Sequence, residues 1–148
     1  MADFHEEVTI VESIDDVFQF IANPKNATYY FVNVVEVDQL TDGEIKVGAK
    51  FKEFRQLANR KVGAELEVTK YEPVGSYAIK SNANGLEVIY HYTFEETENG
   101  TKVVFTGNVK TKKLSMKLMR PLLVKMMKRE DGDHLKGVKK LLEDTHQE

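Results

Sequence analysis

Cysteine and tryptophan are both missing from these 148 residues, and proline occurs only three times. Without cysteine there is no disulfide, zinc ribbon, thiol nucleophile or thiolate-held iron–sulfur cluster, and an intracellular address fits. No apolar run approaches the roughly 20 residues that cross a bilayer. The start, Met1-Ala2-Asp3-Phe4-His5-Glu6-Glu7, is acidic and lacks the basic stretch and apolar run of a secretory signal. A soluble, cytoplasmic protein is expected. The four histidines, His5, His91, His134 and His146, are scattered, no His/Asp/Glu cluster has ligand spacing, and no glycine-rich phosphate loop occurs. Neither a metal nor a cofactor is therefore expected.

The length suits one domain, residues 1–148, with one core. Hydrophobic residues at 41% and charged residues at 30% are ordinary globular values, so no segment reads as disordered or low in complexity. The net charge of −3 is unevenly spread. Between Lys110 and Lys140 stand 11 Lys/Arg against 3 Asp/Glu, which leaves 10 against 21 elsewhere. A basic helix thus lies on an acidic body. It reads either as a solvated face or as a contact for anionic lipid, the latter hard to reconcile with a helix whose apolar face closes the fold. A pI near 5.9 and the absence of a binding motif argue against nucleic acid.

Asp3 to Glu12 alternates as a strand with Phe4, Val8 and Ile10 on one face. Ser13-Ile14-Asp15-Asp16 is a capping-box pattern, and Ile14, Val17, Phe18 and Ile21 recur at helical spacing until Asn23-Pro24. A short second helix fits Asn26 to Tyr30. Turn signals at Asp42-Gly43, Ala58-Asn59-Arg60, Pro73-Val74-Gly75, Asn84-Gly85 and Asn99-Gly100 then separate six antiparallel strands: Val34–Leu40, Lys46–Leu57, Lys61–Tyr71, Tyr77–Asn82, Leu86–Glu95 and Lys102–Lys110. After Lys113 the pattern is helical to the end. The expected fold is α+β: a seven-stranded curved antiparallel sheet, in the order β-α-α-β6-α, wrapped around a long carboxy-terminal helix.

Period-two alternation places Leu86, Val88, Tyr90, Tyr92 and Phe94 on the inner face of one strand, with Val103, Phe105, Gly107 and Val109 beside them. Phe51, Glu53, Arg55 and Leu57 share a face, with Tyr77 and Ile79 next door. Buried tyrosines need hydrogen-bond partners, which a plain core supplies at its rim and a pocket supplies through a ligand or water. Glu53 and Arg55, opposite charges two apart on one inner face, are either a rim ion pair, a polar anchor for a ligand, or a general acid/base.

On the last helix Leu114, Leu118, Met119, Leu122, Leu123, Met126 and Met127 span about 200° of arc, wider than one packed face needs. The excess suits adaptable contacts with a ligand or a second copy, so the chain is expected to be a monomer or a homodimer. Beyond Gly132 the apolar arc of Leu135, Val138, Leu141 and Leu142 is rotated, which predicts a bend with Asp133 as a new N-cap. Glu130 and His134, four apart, read as a solvent-exposed pair at that bend.

The run Val34-Val35-Glu36-Val37, Leu40-Thr41-Asp42-Gly43 and Val47-Gly48-Ala49-Lys50-Phe51, followed by Val68-Thr69-Lys70-Tyr71-Glu72-Pro73, Gly100-Thr101-Lys102-Val103 and Leu135-Lys136-Gly137-Val138-Lys139, resembles the polyketide cyclase/dehydrase and lipid-transport branch of the START-like (SRPBCC) superfamily. The resemblance covers nearly the whole chain and rests on fold-forming residues. It implies a helix-grip fold with a cavity between sheet and helix, in which members bind or occasionally transform lipids, sterols, hormones and polyketides. Many relatives place a tryptophan after the second short helix, where this chain has Tyr29-Tyr30. No catalytic residue is carried over.

The expected function is binding or carriage of a small hydrophobic molecule, with Phe51, Glu53, Arg55, Tyr77, Tyr90, Tyr92, Phe94, Met119, Leu123 and Met127 as the ligand-binding residues. The alternative is a cyclase or dehydratase in which Glu53 removes a proton and a tyrosine or Arg55 stabilises an enolate. Whether the chain is an enzyme is left open by the sequence.

Overall fold

The structure, a computed structural model, describes residues 2–83 and 85–145. Asn84 of the Asn84-Gly85 turn and His146 lie outside the described residues. Seven antiparallel strands form one sheet in the order β1-β7-β6-β5-β4-β3-β2. They are β1 (Phe4–Ile10), β2 (Val34–Gln39), β3 (Lys50–Leu57), β4 (Arg60–Glu72), β5 (Ser76–Ala83), β6 (Leu86–Thr97) and β7 (Gly100–Thr111). Among the described residues three α-helices accompany them: α1 (Ile14–Ile21), α2 (Leu114–Asp131) and α3 (His134–Thr145), with a 3₁₀ helix over Pro24–Tyr29. This is the helix-grip arrangement read from the sequence.

Local chemistry sets the boundaries. Ser13 caps α1 by accepting from the Asp16 N–H at 3.2 Å, and Asp15 and Asp16 complement the helix dipole. Val17, Phe18 and Ile21 form its buried stripe. Asn23 accepts from the Lys25 N–H at 3.1 Å and Pro24 opens the 3₁₀ helix. The strand expected from Lys46 starts only at Lys50, because Ala49 donates back to the Lys46 carbonyl at 3.0 Å and closes a turn there.

The inner faces alternate as expected. Val88, Tyr90, Tyr92 and Phe94 of β6 and Val103, Phe105 and Val109 of β7 are buried. Gly107 is required by its neighbours: a Cβ there would stand 2.4 Å from the Phe4 ring and 3.2 Å from Tyr90, which meet edge to face across it. Phe18 sits edge-on to Phe94 at 5.1 Å and Tyr71 at 5.3 Å, filling the α1 end of the core.

The carboxy-terminal helix is two helices. Gly132 donates to the Lys128 carbonyl at 2.9 Å to finish α2, and a Cβ on it would stand 2.3 Å from that oxygen. Strand β1 and the residues flanking it hold both pieces. Arg120 of α2 donates to both Asp3 carboxylate oxygens at 2.7 Å; burial alone would raise the pKa of that carboxyl, but the Val109 N–H and Arg120 hold it below its usual value. At α3, Glu6 accepts from the Leu135 N–H at 3.1 Å, and Glu143 accepts from the Val11 N–H at 2.8 Å.

The two helices pack unequally. Leu135 and Val138 of α3 are fully buried, whereas Asp131 alone is buried on α2. The wide apolar arc of α2 divides: Leu123, Val124 and Met127 turn toward the sheet, while Leu114, Leu118, Met119 and Leu122 face outward, Leu118 at 83% exposure. No helix among the described residues is long and apolar enough to cross a membrane.

Candidate ligand cavity

Curvature leaves a cavity of about 230 Å³ between the sheet, the 3₁₀ helix and α2, somewhat below the ~300 Å³ lower end for ligand pockets. Its wall follows the two-residue period of the strands. Glu53, Arg55 and Leu57 come from β3; Val62, Ala64 and Leu66 from β4; Tyr77, Ile79, Ser81 and Ala83 from β5; and Leu86, Val88, Tyr90 and Tyr92 from β6. Leu123, Met126, Met127, Glu130 and Asp131 of α2 close one side, and Pro24, Ala27, Tyr30 and Phe31 another.

Seven of the ten residues expected to bind ligand are therefore brought together: Glu53, Arg55, Tyr77, Tyr90, Tyr92, Leu123 and Met127. Three are not on the wall. Phe51 is fully buried as core filler, Phe94 spends its ring on Phe18 of α1, and Met119 lies on the outer arc of α2 at 54% exposure. Alternation assigned the correct faces but not where along each strand the void begins and ends.

A chain of polar contacts runs along one side. Arg55 donates from Nε to Glu53 Oε1 at 2.8 Å and from Nη1 to Asp131 Oδ1 at 3.0 Å, and its guanidinium lies over the Phe31 ring at 5.3 Å. Burial opposes the Arg55 charge, but the two carboxylates outweigh it and raise its pKa. Tyr90 donates to Asp131 Oδ2 at 2.5 Å; burial and then the Asp131 charge push its phenol well above the usual value, so it keeps its proton.

His134 is the hinge of this arrangement. The expected exposed pair with Glu130 is not what forms: His134 is 4% exposed, and its partners are Tyr92 and the Asp131 backbone. The turn at Gly132 explains it, rotating His134 inward with Leu135 and Val138. The Asp131 carbonyl 2.6 Å from Nδ1 only accepts, so Nδ1 carries the proton, and Nε2 takes the Tyr92 hydroxyl hydrogen at 2.7 Å. Phe31 stacks on the imidazole at 4.5 Å and Phe105 meets it edge-on at 4.5 Å. Burial, with the Arg55 charge adding to it, lowers its pKa to about 4 against the opposing pull of Asp131.

Two wall phenols stand outside the chain of contacts. Among the described residues the hydroxyls of Tyr30 and Tyr77 take part in no hydrogen bond, although Tyr77 is only 2% exposed. Glu53 Oε2 is likewise without a hydrogen bond, Arg55 engaging only Oε1. None of the three oxygens is sealed against solvent-sized space. Burial first, and then the Glu53 charge, raises the pKa of Tyr30; at Tyr77 burial acts first, with Tyr30 and Glu53 adding to it. No group of three or more His, Cys, Asp or Glu among the described residues is placed to hold a metal.

Sequence reasoning missed Tyr30, Phe31, Asp131 and His134 as site residues. The usable signal for His134 was its phase, inward with Leu135 and Val138. For Tyr30 it was the aromatic pair Tyr29-Tyr30 at the end of the short second helix.

A curved sheet gripping a terminal helix around an aromatic cavity defines a helix-grip protein. The chain belongs to the polyketide cyclase/dehydrase and lipid transport family, which matches residues 1–143. No curated protein matches it in sequence. Among solved structures it is similar to SA2116 of Staphylococcus aureus, a protein of unknown function, with 14% identity, a TM-score of 0.73, and 97% of this chain and 94% of that one covered. TTHA0849 of Thermus thermophilus is similar at 16% identity and a TM-score of 0.73, covering 93% and 94%. The di-domain ARO/CYC StfQ of the steffimycin biosynthetic pathway is similar at 14% identity and a TM-score of 0.73, with 98% of this chain matching 51% of that one. At these identities the likeness is one of fold.

Proposed function

We propose that the chain binds and carries a small hydrophobic molecule in this cavity. The observation that carries the reading is the lining itself: an almost wholly apolar wall containing a few convergent polar groups, two of which, the Tyr30 and Tyr77 hydroxyls, have no partner among the described residues. A core evolved for stability alone gains nothing from such phenols, whereas a bound molecule satisfies them. Native mass spectrometry of protein purified gently from its own host tests this. An added mass of a few hundred daltons, lost on denaturation, is expected; a bare chain that also fails to take up the neutral dye Nile red would remove the proposal. Ala64 lines the void from β4, so Ala64→Phe is expected to cut Nile red uptake about tenfold or more while leaving the fold intact.

A second reading, a cyclase- or dehydratase-like enzyme, draws support from the free Glu53 Oε2 beside two phenols and Arg55. Glu53 would take a proton from carbon next to a ligand carbonyl while a phenol or Arg55 held the oxygen. Turnover that depends on pH through one carboxylate and disappears in Glu53→Gln would favour it over carriage alone.

A further inference from the structure

The polar end of the cavity contains a guanidinium, which at first sight suits an acidic ligand such as a fatty acid. The charge count says otherwise. Arg55 contributes one positive charge, Glu53 and Asp131 contribute two negative ones, and Arg55 is already bonded to both at 2.8 and 3.0 Å. His134 adds nothing, because its single N–H goes to the Asp131 carbonyl and its other nitrogen accepts from Tyr92. The cluster presents a net charge of minus one to a largely apolar, aromatic space, on whose wall Glu130 is a further acid. An anionic headgroup there would meet like charge at short range in a poor dielectric and would lose its hydration as well.

The hydrogen-bond count gives the positive half. Glu53 Oε2 only accepts, and the Tyr30 and Tyr77 phenols, which burial and Glu53 keep protonated, donate. A group that fits must therefore donate once and accept as well. We propose that the cavity selects an uncharged apolar molecule whose polar end is a hydroxyl, satisfying the Glu53 carboxylate and the Tyr30 and Tyr77 phenols together, and that it discriminates against carboxylates. This rests on the reading of the cavity as a ligand site and adds the class of ligand. Sites built to hydrogen-bond a hydroxyl reject analogues that leave their buried groups unpaired.

The test is calorimetric titration near neutral pH with 1-naphthol and 1-naphthoate, which share a ring system and differ in the head. Wild-type protein is expected to bind the naphthol at least about tenfold more tightly. Because a carboxylate is also better solvated, the decisive quantity is how that gap moves: Glu53→Gln removes the charge and is expected to narrow it about fivefold or more, by strengthening naphthoate. Tyr30→Phe and Tyr77→Phe each remove a donor that bonds to nothing among the described residues. They are expected to weaken naphthol about three- to tenfold without lowering the thermal midpoint, an outcome that a structural role for either hydroxyl would reverse. Naphthoate binding as tightly as naphthol in the wild type, a gap unmoved by Glu53→Gln, or Nile red uptake without naphthol binding each overturns the headgroup assignment and leaves the cavity as a ligand site. Failure of naphthol, naphthoate and Nile red alike overturns both readings.

Discussion

At the scale of single residues, His134 makes the fold sensitive to acid. In the unfolded chain an imidazole titrates near 6.5, and in the fold His134 titrates at about 4. Between those values the unfolded chain binds more protons, so stability falls as pH drops through this window and is fully retained above it. A depression of this size corresponds to about 3 kcal/mol. Urea unfolding followed from about pH 7.5 down to about pH 4.5 should show the loss, and His134→Gln should flatten that part of the profile; an unchanged slope would place the acid sensitivity elsewhere. Arg55→Ala is expected to be more damaging, by about 3–5 kcal/mol, because it strands two buried carboxylates. Arg55→Lys should recover only part of the loss, since an ammonium cannot bridge both acids with a planar fork. Equal stability of the alanine and wild-type proteins in denaturant titration would show that Glu53 and Asp131 are not held by this contact.

At the scale of elements, the contrast between α2 and α3 has a measurable form. Helix α3 buries Leu135 and Val138 completely, while α2 rests on the sheet through partly covered side chains and leaves Leu118 and Leu122 outside. Amide exchange is therefore expected to be faster in α2 than in α3, the first opening locally and the second only with the sheet. Equal protection along both would mean that the outward leucines are covered in solution, as in a dimer, and light scattering would then report twice the monomer mass. How much of this was legible in the sequence depends on the kind of signal. Strand faces, the Ser13 cap and the break at Gly132 follow from periodicity and local hydrogen bonding, so they could be read. The inward turn of His134 could not be read from its spacing to Glu130, which assumes a continuous helix that the bend interrupts; only its phase with Leu135 and Val138 beyond the bend carries the signal. Nor could the exclusion of Phe51 and Phe94 from the cavity be read. Both sit on the correct face, and only three-dimensional curvature decides that α1 fills the sheet over Phe94 while a void remains beside Tyr92.

At the scale of the whole molecule, β1 links parts that are remote in sequence. It pairs with β7 from Phe4 opposite Gly107 to Ile10 opposite Thr101, and Asp3 and Glu6 beside these pairs hold α2 and α3. Its residues are thus separated by roughly a hundred positions from these partners. Closing so long a loop costs entropy before any contact rewards it, so topologies of this kind fold in milliseconds to seconds rather than microseconds. A stopped-flow refolding trace should lie in that range, and Asp3→Ala should speed exchange in α2 more than in α3. On a ribosome the same pairing imposes an order of events. The first strand emerges with its edge unpaired and waits while the hairpins of β2 to β6 assemble behind it. Only when β7 leaves the exit tunnel does β1 find its partner, and only after that can the helices be clamped. The nascent chain carries a bare strand edge until β7 has emerged, and the cavity has no complete wall until α2, which supplies Asp131, has followed it.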